Sequence, residues 1–269
     1  MDLELIKKLN HFNIYANLGF CFNEINKFEK YIITSHNTIK DYWYNFVTDI
    51  KANNKEEFDK IILEANEKMR KKNRKCAIAV LPYMQEIYNN REKFFDDSYE
   101  LVSNEVWQIF EDFKKLDNIP RCSIKVKLEK TTEMKLYSEE MIKAYQTGDV
   151  EDPYGNLDSA YKDVYENYKE IENGYTNEFY FAKVGNEIVG VTQGVYDNEI
   201  YGIYGVAVKK DFRCNGIGKE IIRQQLKMCK DKKLKLAFLQ TEDGYYPADT
   251  YRKLGFKDVC VEYYYIKNK

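Results

Sequence analysis

The sequence predicts an α/β protein, of the α+β kind, with a mixed, mostly antiparallel central sheet flanked by helices. Two observations support this fold class. Residues 179–208 contain three strand-like segments separated by the short turns Gly185-Asn186 and Asp197-Asn198, as in antiparallel hairpins. The third segment then leads through a polar turn into a stretch where apolar residues recur at helical spacing, from Ile217 to Cys229.

The first half of the chain alternates helical and strand-like segments. We expect helices over 2–30, 56–72 and 84–96, and strands over 31–35, 41–47, 76–81 and 99–110. The helix over 56–72 has the clearest pattern, because Phe58, Ile61, Ala65 and Met69 fall on one of its sides.

Asn118-Ile119-Pro120 marks a boundary, so we predict domains of 1–118 and 119–269. In the second domain we expect strands over 124–128, 179–184, 188–196, 199–208, 234–241 and 256–266, with helices over 138–146, 158–172, 217–229 and 247–254. The order from residue 199 onward is strand, helix, strand, helix, strand, as it is from 41 to 110. This is either an internal repeat or an order that many α/β domains share.

Composition limits the classes of function. The 269 residues are 44% apolar and carry a net charge of −2, so no basic field predicts nucleic-acid binding. No apolar run reaches the ~20 residues of a membrane span, and the charged residues 1–9 do not resemble a signal peptide. Six scattered cysteines without a C-x-x-C pair predict reduced thiols in the cytoplasm, and two distant histidines predict no metal site.

The turn between the third strand and its helix has the pattern Arg213-x-x-Gly216-x-Gly218. Glycines allow a tight turn and close approach of a ligand to the backbone. The start of a helix presents unpaired N–H groups and a partial positive charge, which suit a diphosphate. The candidate anion-binding residues are Arg213, Cys214, Asn215, Gly216, Ile217, Gly218 and Lys219. The pattern is neither a Walker A loop nor a dinucleotide fingerprint.

This turn resembles the acyl-CoA-binding motif of the GCN5-related N-acetyltransferases (the GNAT superfamily), Arg/Gln-x-x-Gly-x-Gly/Ala. A second resemblance is Tyr251-Arg252-Lys253-Leu254-Gly255-Phe256, about 40 residues later. The resemblance covers 119–269 and implies a GNAT fold that binds acetyl-CoA. It also implies that the strand residues Val206, Ala207 and Val208 contact the cofactor arm, that the Val206 amide stabilises the thioester oxygen, and that Tyr251 donates a proton to the leaving thiolate.

The residues at the positions expected for a general base depart from the family pattern. Relatives place a Glu or His at the positions that are Gly202 and Tyr204 here. We predict Glu199 as the base, acting through a water chain, and Glu242 is an alternative. A substrate amine that arrives neutral needs no base at all.

The predicted acceptor site is the acidic loop that contains Asp149, Glu151, Asp152 and Tyr154. Relatives place acceptor-binding residues between their first two helices, and acidic side chains attract a cationic amine. A solvated surface loop is the alternative interpretation.

If the first half is a GNAT-like repeat, it is degenerate. Residues 51–55, ahead of its helix, contain no glycine and no matching Arg, so it is not expected to bind coenzyme A.

Three functions remain open at this point. The first is an acetyl-CoA-dependent N-acetyltransferase acting on a small-molecule or protein amine. The second is a non-catalytic acyl-CoA-binding sensor, and the third is an interaction protein. Each is compatible with a homodimer, and none calls for nucleic acid or a membrane.

Overall fold

The computed structural model describes residues 2–145, 160–166, 168 and 170–268. The α-helices in these residues are α1 (Leu3–Ala16), α2 (Lys55–Lys71), α3 (Gln85–Asn89), α4 (Arg91–Phe94), α5 (Met134–Tyr145), α6 (Ala160–Glu166), α7 (Ile217–Asp231) and α8 (Tyr246–Leu254). The strands are β1 (Glu24–Lys27), β2 (Ile32–Ser35), β3 (Phe46–Thr48), β4 (Ala77–Val80), β5 (Tyr99–Phe110), β6 (Val126–Thr131), β7 (Thr176–Val184), β8 (Glu187–Tyr196), β9 (Ile200–Val208), β10 (Leu236–Glu242) and β11 (Lys257–Lys267). The α/β class with a mixed sheet is confirmed.

Packing divides the chain into two compact units. The first is Met1–Trp107 with Val259–Lys269, and the second is Gln108–Asp258. The last strand therefore packs with the first unit, because β11 pairs with β4 from Tyr263↔Val80 to Ile266↔Ala77. The division into domains of 1–118 and 119–269 stays a prediction about folding, since the packing draws its boundaries elsewhere.

In the first unit the strand order is β1-β2-β3-β4-β11-β5. β3 and β4 are parallel, whereas β1/β2, β2/β3 and β4/β11 are antiparallel. Helix α1 ends at Ala16, well before the predicted residue 30, and β1 follows. The predicted strand over 41–47 begins as a 3₁₀ turn, because the Asp41 carboxylate accepts a hydrogen bond from the Trp43 N–H.

In the second unit the strand order is β10-β9-β8-β7-β6, and β9/β10 is the parallel pair. Helices cover both faces, as the alternation along β7 makes clear. Phe179 and Phe181 contact the Tyr137 ring of α5. The intervening Tyr180 and Ala182 pack in a core cluster with residues of α7. This arrangement presents the ends of β9 and β10 between two helical layers.

Candidate functional site

Strands β9 and β10 part along their length. Their parallel register runs from Leu236↔Ile200 to Phe238↔Gly202. Beyond this last pair β9 continues to Val208 and β10 to Glu242. Over these residues the facing backbone edges have no strand partner in the described register, so the sheet has a wedge-shaped opening. Such an opening can hold an extended chain that hydrogen bonds to the strand backbone.

A β-bulge lies in the part of β9 that lines this opening. The register with β8 passes from Gln193↔Tyr204 to Val191↔Ala207, so Gly205 and Val206 together oppose Thr192. Gly205 has φ 57°, a left-handed conformation that glycine adopts without strain. A bulge leaves one residue out of the ladder and re-aims the strand, which frees backbone groups beside Val206.

The turn after β9 leads to an uncapped helix. Gly216 is the N-cap residue of α7, with φ 79°, and no side chain hydrogen bonds to the first turn. The exposed Cys214, with φ 61°, and Asn215 precede it. A Cβ added to Gly218 would lie 3.9 Å from Val208 Cγ2, an ordinary contact. The first N–H groups of α7 are therefore available to an anion, as the sequence predicts for this turn.

The Arg213 side chain has a structural contact that the motif alone did not reveal. Its Nε donates to the Val208 carbonyl at 2.9 Å, and its Nη2 donates to the Ala144 carbonyl at 2.9 Å. The guanidinium thus holds the turn against the end of β9 and the last turn of α5. Cys122 also holds the turn, because its thiol donates a hydrogen bond to the Asn215 carbonyl at 3.0 Å.

An ion pair makes a second link between α5 and this turn. Lys209, directly after β9, pairs with Glu140 of α5, and Lys143 pairs with the same carboxylate at 2.8 Å. Burial disfavours the charged carboxylate, but hydrogen bonds from the two lysines outweigh it and lower the pKa of Glu140. The pair therefore stays charged near neutral pH.

Tyr251 lies on α8 and packs against the core cluster between α7 and the β9/β10 face. Its ring centroid is 5.9 Å from that of Phe256, and its hydroxyl makes no hydrogen bond within the described residues. Burial raises the pKa of Tyr251 above its ordinary value. The phenol is therefore protonated at neutral pH, the state in which it can donate a proton.

The two candidate bases lie at different ends of the sheet. Glu199 immediately precedes β9, and its carboxylate accepts a hydrogen bond from Lys235 at 2.6 Å. Glu242 is the last residue of β10, at the open end of the wedge. The structure therefore does not place Glu199 beside Val206.

The predicted acceptor residues Asp149, Glu151, Asp152 and Tyr154 lie outside the described residues. The described helices on either side of them bring Tyr137 of α5 and Tyr165 of α6 together, with ring centroids 5.5 Å apart. Two features near the site escaped the sequence interpretation. One is the Gly205 bulge, and the other is the position of the Tyr137 hydroxyl, which would lie 3.9 Å from a Cβ added to Gly205. An isolated glycine within a strand pattern is the signal that could have revealed the bulge.

Residues 135–256 match the family model described as the acetyltransferase (GNAT) family. This match confirms the resemblance to the GNAT superfamily that the sequence predicted for this part of the chain. No curated protein matches the sequence.

Solved structures share the fold over nearly the whole chain. A functionally unknown conserved protein from Staphylococcus epidermidis ATCC 12228 has a TM-score of 0.65 at 16% identity, covering 92% of this chain and 94% of its own. A GCN5-related N-acetyltransferase from Kribbella flavida has a TM-score of 0.63 at 10% identity, covering 91% and 90%. A tandem GNAT protein from the clavulanic acid biosynthesis pathway has a TM-score of 0.60 at 12% identity, and the match covers 88% of this chain and 78% of that protein. The fold of the first half is thus also GNAT-like.

Two features are absent from the described residues. No helix among them combines the length and the apolar character needed to cross a membrane. No group of three or more His, Cys, Asp or Glu residues in the same part of the chain is arranged to hold a metal ion.

Proposed function

We propose that this protein is an acetyl-CoA-dependent N-acetyltransferase that transfers the acetyl group to a primary amine. One observation supports this proposal above all. The wedge between β9 and β10 and the uncapped start of α7 lie at the two ends of one short segment, from Gly205 to Gly218. A ligand with a diphosphate and an extended, amide-containing arm requires these two features next to each other.

The residues present fit such a ligand. The N–H groups of the first turn of α7 and the exposed Lys219 suit the diphosphate, because a helix start favours anions. The open edge of β9 from Val206 to Val208 suits the amide groups of the arm. The acyl thioester supplies an activated acetyl group when it is bound.

The chemistry assigned to the chain's own residues follows from these positions. The Val206 N–H, next to the bulge, stabilises the negative charge that develops on the thioester oxygen, a contribution worth roughly 10²–10³ in rate. Tyr251 donates its phenolic proton to the leaving thiolate. Direct attack by the amine requires no covalent enzyme intermediate.

The proposal also covers the acceptor site and the cellular location. Asp149, Glu151, Asp152 and Tyr154 are retained as acceptor-binding residues for a cationic amine, by their charge and their place in the sequence. A cytoplasmic location is supported by the cysteines, all six of which are free thiols.

Acetyl-CoA binding measured by calorimetry tests the proposal. We expect the unaltered protein to bind and Gly218→Glu to bind at least tenfold more weakly, because a carboxylate there repels the diphosphate. Gly216→Glu is a second variant, and thermal unfolding checks that both variants are folded.

A panel of primary amines, including polyamines and aminoglycosides, then tests turnover. Acetylation of any of them supports the enzyme. Binding without turnover across the panel would support an acyl-CoA sensor instead, and no binding by the unaltered protein would overturn both functions.

A further inference from the structure

Glu242 lies within about one residue of the level of the Val206 amide in the wedge. The last paired residues of the two parallel strands are Gly202 and Phe238. Val206 is four residues beyond Gly202 on β9, and Glu242 is four residues beyond Phe238 on β10. At about 3.3 Å per residue, Glu242 is about 13 Å past the point where the strands part. Gly205 and Val206 share one step opposite Thr192, so Val206 is about 10 Å past that point, within one residue of the level of Glu242. A thioester held at Val206 would therefore lie between the two strands beside Glu242.

The carboxylate of Glu242 is unpaired. It is half-buried and has no ion pair or hydrogen bond within the described residues. Arg252 of α8, the cation that follows it in the chain, instead binds Asp243 at 3.1 Å, Asp249 at 2.7 Å and Asp258 at 2.9 Å. An uncompensated carboxylate in a cleft is costly to retain, and such groups concentrate at functional sites.

The strand residues on either side of the wedge carry no other charge. From Ile200 to Val208, β9 contains no charged side chain, and Tyr201 and Tyr204 are its titratable groups. Within β10, Glu242 is the single charged residue. On α8, Arg252 is shared by Asp249 and two further carboxylates, Lys253 is exposed, and Tyr251 is protonated. Burial alone raises the pKa of Glu242 above its ordinary value.

Glu199, the other candidate base, lies before the point where β9 and β10 part, at the end of β9 opposite to Val206. It is three residues before Gly202 and seven before Val206, a distance of roughly 23 Å along an extended strand. Its carboxylate is occupied by Lys235 at 2.6 Å. A base must lie within hydrogen-bond reach of its proton, or one water away.

We propose that Glu242 is the general base of the acetyl transfer, an inference that rests on the function proposed above. The Glu242 carboxylate removes one proton from the substrate ammonium group, which leaves the amine lone pair free. The nitrogen then forms a C–N bond to the acetyl carbon, the C–S bond breaks, and the sulfur keeps that electron pair. Tyr251 protonates the sulfur and is reprotonated by the second proton that the nitrogen loses. Glu242 releases its proton to solvent, so the sum is amide, thiol and one proton.

A pH–rate profile of kcat/KM tests this role, with the best amine from the panel as substrate. We expect Glu242→Gln to lower kcat/KM by about 10²–10⁴-fold, the usual contribution of a positioned base, and to abolish the acidic limb of the profile. Binding of acetyl-CoA and the unfolding temperature should stay unchanged. Glu242→Asp should retain more activity than Glu242→Gln. Glu187→Gln, an exposed carboxylate at the start of β8, is the matched control and should resemble the unaltered protein.

A second readout does not depend on turnover. NMR of protein labelled with ¹³C-glutamate can follow this group, since its carboxyl signal is the one that disappears in Glu242→Gln. This signal should titrate with a pKa above the ordinary range for glutamate. Titration at the ordinary value would overturn the inference.

The outcomes separate the two proposals. Near-normal activity of Glu242→Gln overturns the inference and leaves the acetyltransferase in place. Loss of activity in Glu199→Gln with retention in Glu242→Gln would assign the base to Glu199 instead. An unaltered protein that acetylates no amine removes the proposed function and this inference together.

Discussion

Helices α2 and α7 follow parallel-paired strands in the two units, yet they begin in opposite ways. At the start of α2 the Asn54 side chain accepts a hydrogen bond from the Glu57 N–H at 2.9 Å. The Glu57 carboxylate accepts one from the Asn53 N–H at 3.0 Å. This arrangement resembles a capping box, except that the Glu57 carboxylate reaches the residue before the N-cap Asn54. At the start of α7, Gly216 provides no side chain to bind these groups.

The comparison shows how one structural element serves two purposes. In α2 the Asn54 side chain satisfies the Glu57 N–H, and Glu56 and Glu57 place negative charge where an anion would bind. In α7 no side chain caps the corresponding groups. A capped and acidic helix start repels a diphosphate, so we predict that the start of α2 does not bind one.

The largest expected effect comes from transferring the α2 cap to α7. We expect Gly216→Asn combined with Lys219→Glu to weaken acetyl-CoA binding by about 10²–10³-fold, because charge-assisted hydrogen bonds contribute about 1.5–3 kcal/mol each. Calorimetry measures the affinity. Lys219→Gln alone is the control and should lose far less. Unchanged affinity in the double variant would mean that the start of α7 does not hold the ligand.

The buried carboxylates of the two units also differ, with consequences for stability. Glu220 of α7 pairs with Arg223 at 2.6 Å, whereas Glu262 of β11 has the Trp107 indole N–H at 3.0 Å. Burial raises the pKa of Glu262 to about 8. The folded state therefore keeps a proton that the unfolded chain loses above its ordinary pKa, so stability falls between about pH 4.5 and 8.

We expect Glu262→Gln to flatten this dependence. The unfolding temperature of the unaltered protein should fall by a few degrees as pH rises through that window, while that of the variant should change less. Thermal unfolding at several pH values measures the difference. Equal slopes in the two proteins would show that Glu262 does not carry the extra proton.

A smaller effect is expected at the capped helix. Asn54→Ala removes the acceptor for the Glu57 N–H and should cost about 1 kcal/mol of stability. Denaturant unfolding measures it, and Asn54→Asp, which restores an acceptor, should recover most of the loss. The affinity for acetyl-CoA should not change in either variant; an effect there would mean that α2 also contributes to ligand binding.

The smallest effect is expected at Gly218. A Cβ there would lie 3.9 Å from Val208 Cγ2, so the protein accommodates it without rearrangement. Gly218→Ala should therefore alter the acetyl-CoA affinity less than about threefold, whereas Gly218→Glu should weaken binding at least tenfold. A large loss with Ala would indicate that the ligand approaches the α7 backbone more closely than a methyl group allows.

The local spacing of apolar residues predicted the bounds of an element well where that spacing is regular along the whole element. The strand predicted over 99–110 matches β5 at both ends, and the helix predicted over 56–72 differs from α2 by one residue at each end. The prediction over 2–30 was wrong beyond Ala16, where α1 ends, and Gly19, with φ 82°, lies in the turn that follows. The apolar spacing continues past Ala16, so periodicity alone does not mark this end.

The anion-binding turn could be predicted because its conformation is local. Gly216 and Gly218 permit the backbone geometry by themselves, and the helix that follows is amphipathic in its own right. The direction of the Arg213 side chain could not be predicted, because its acceptors include the Ala144 carbonyl, 69 residues away.

The sequence by itself determined the α/β class, the glycine turn that resembles an acyl-CoA-binding motif, and the absence of such a turn from residues 51–55. These depend on residues close together in the chain. Only the tertiary structure decided that β11 completes the first unit, and that Glu242 rather than Glu199 lies within about one residue of the level of Val206. Both results depend on strand register, which is set by pairing between segments distant in sequence.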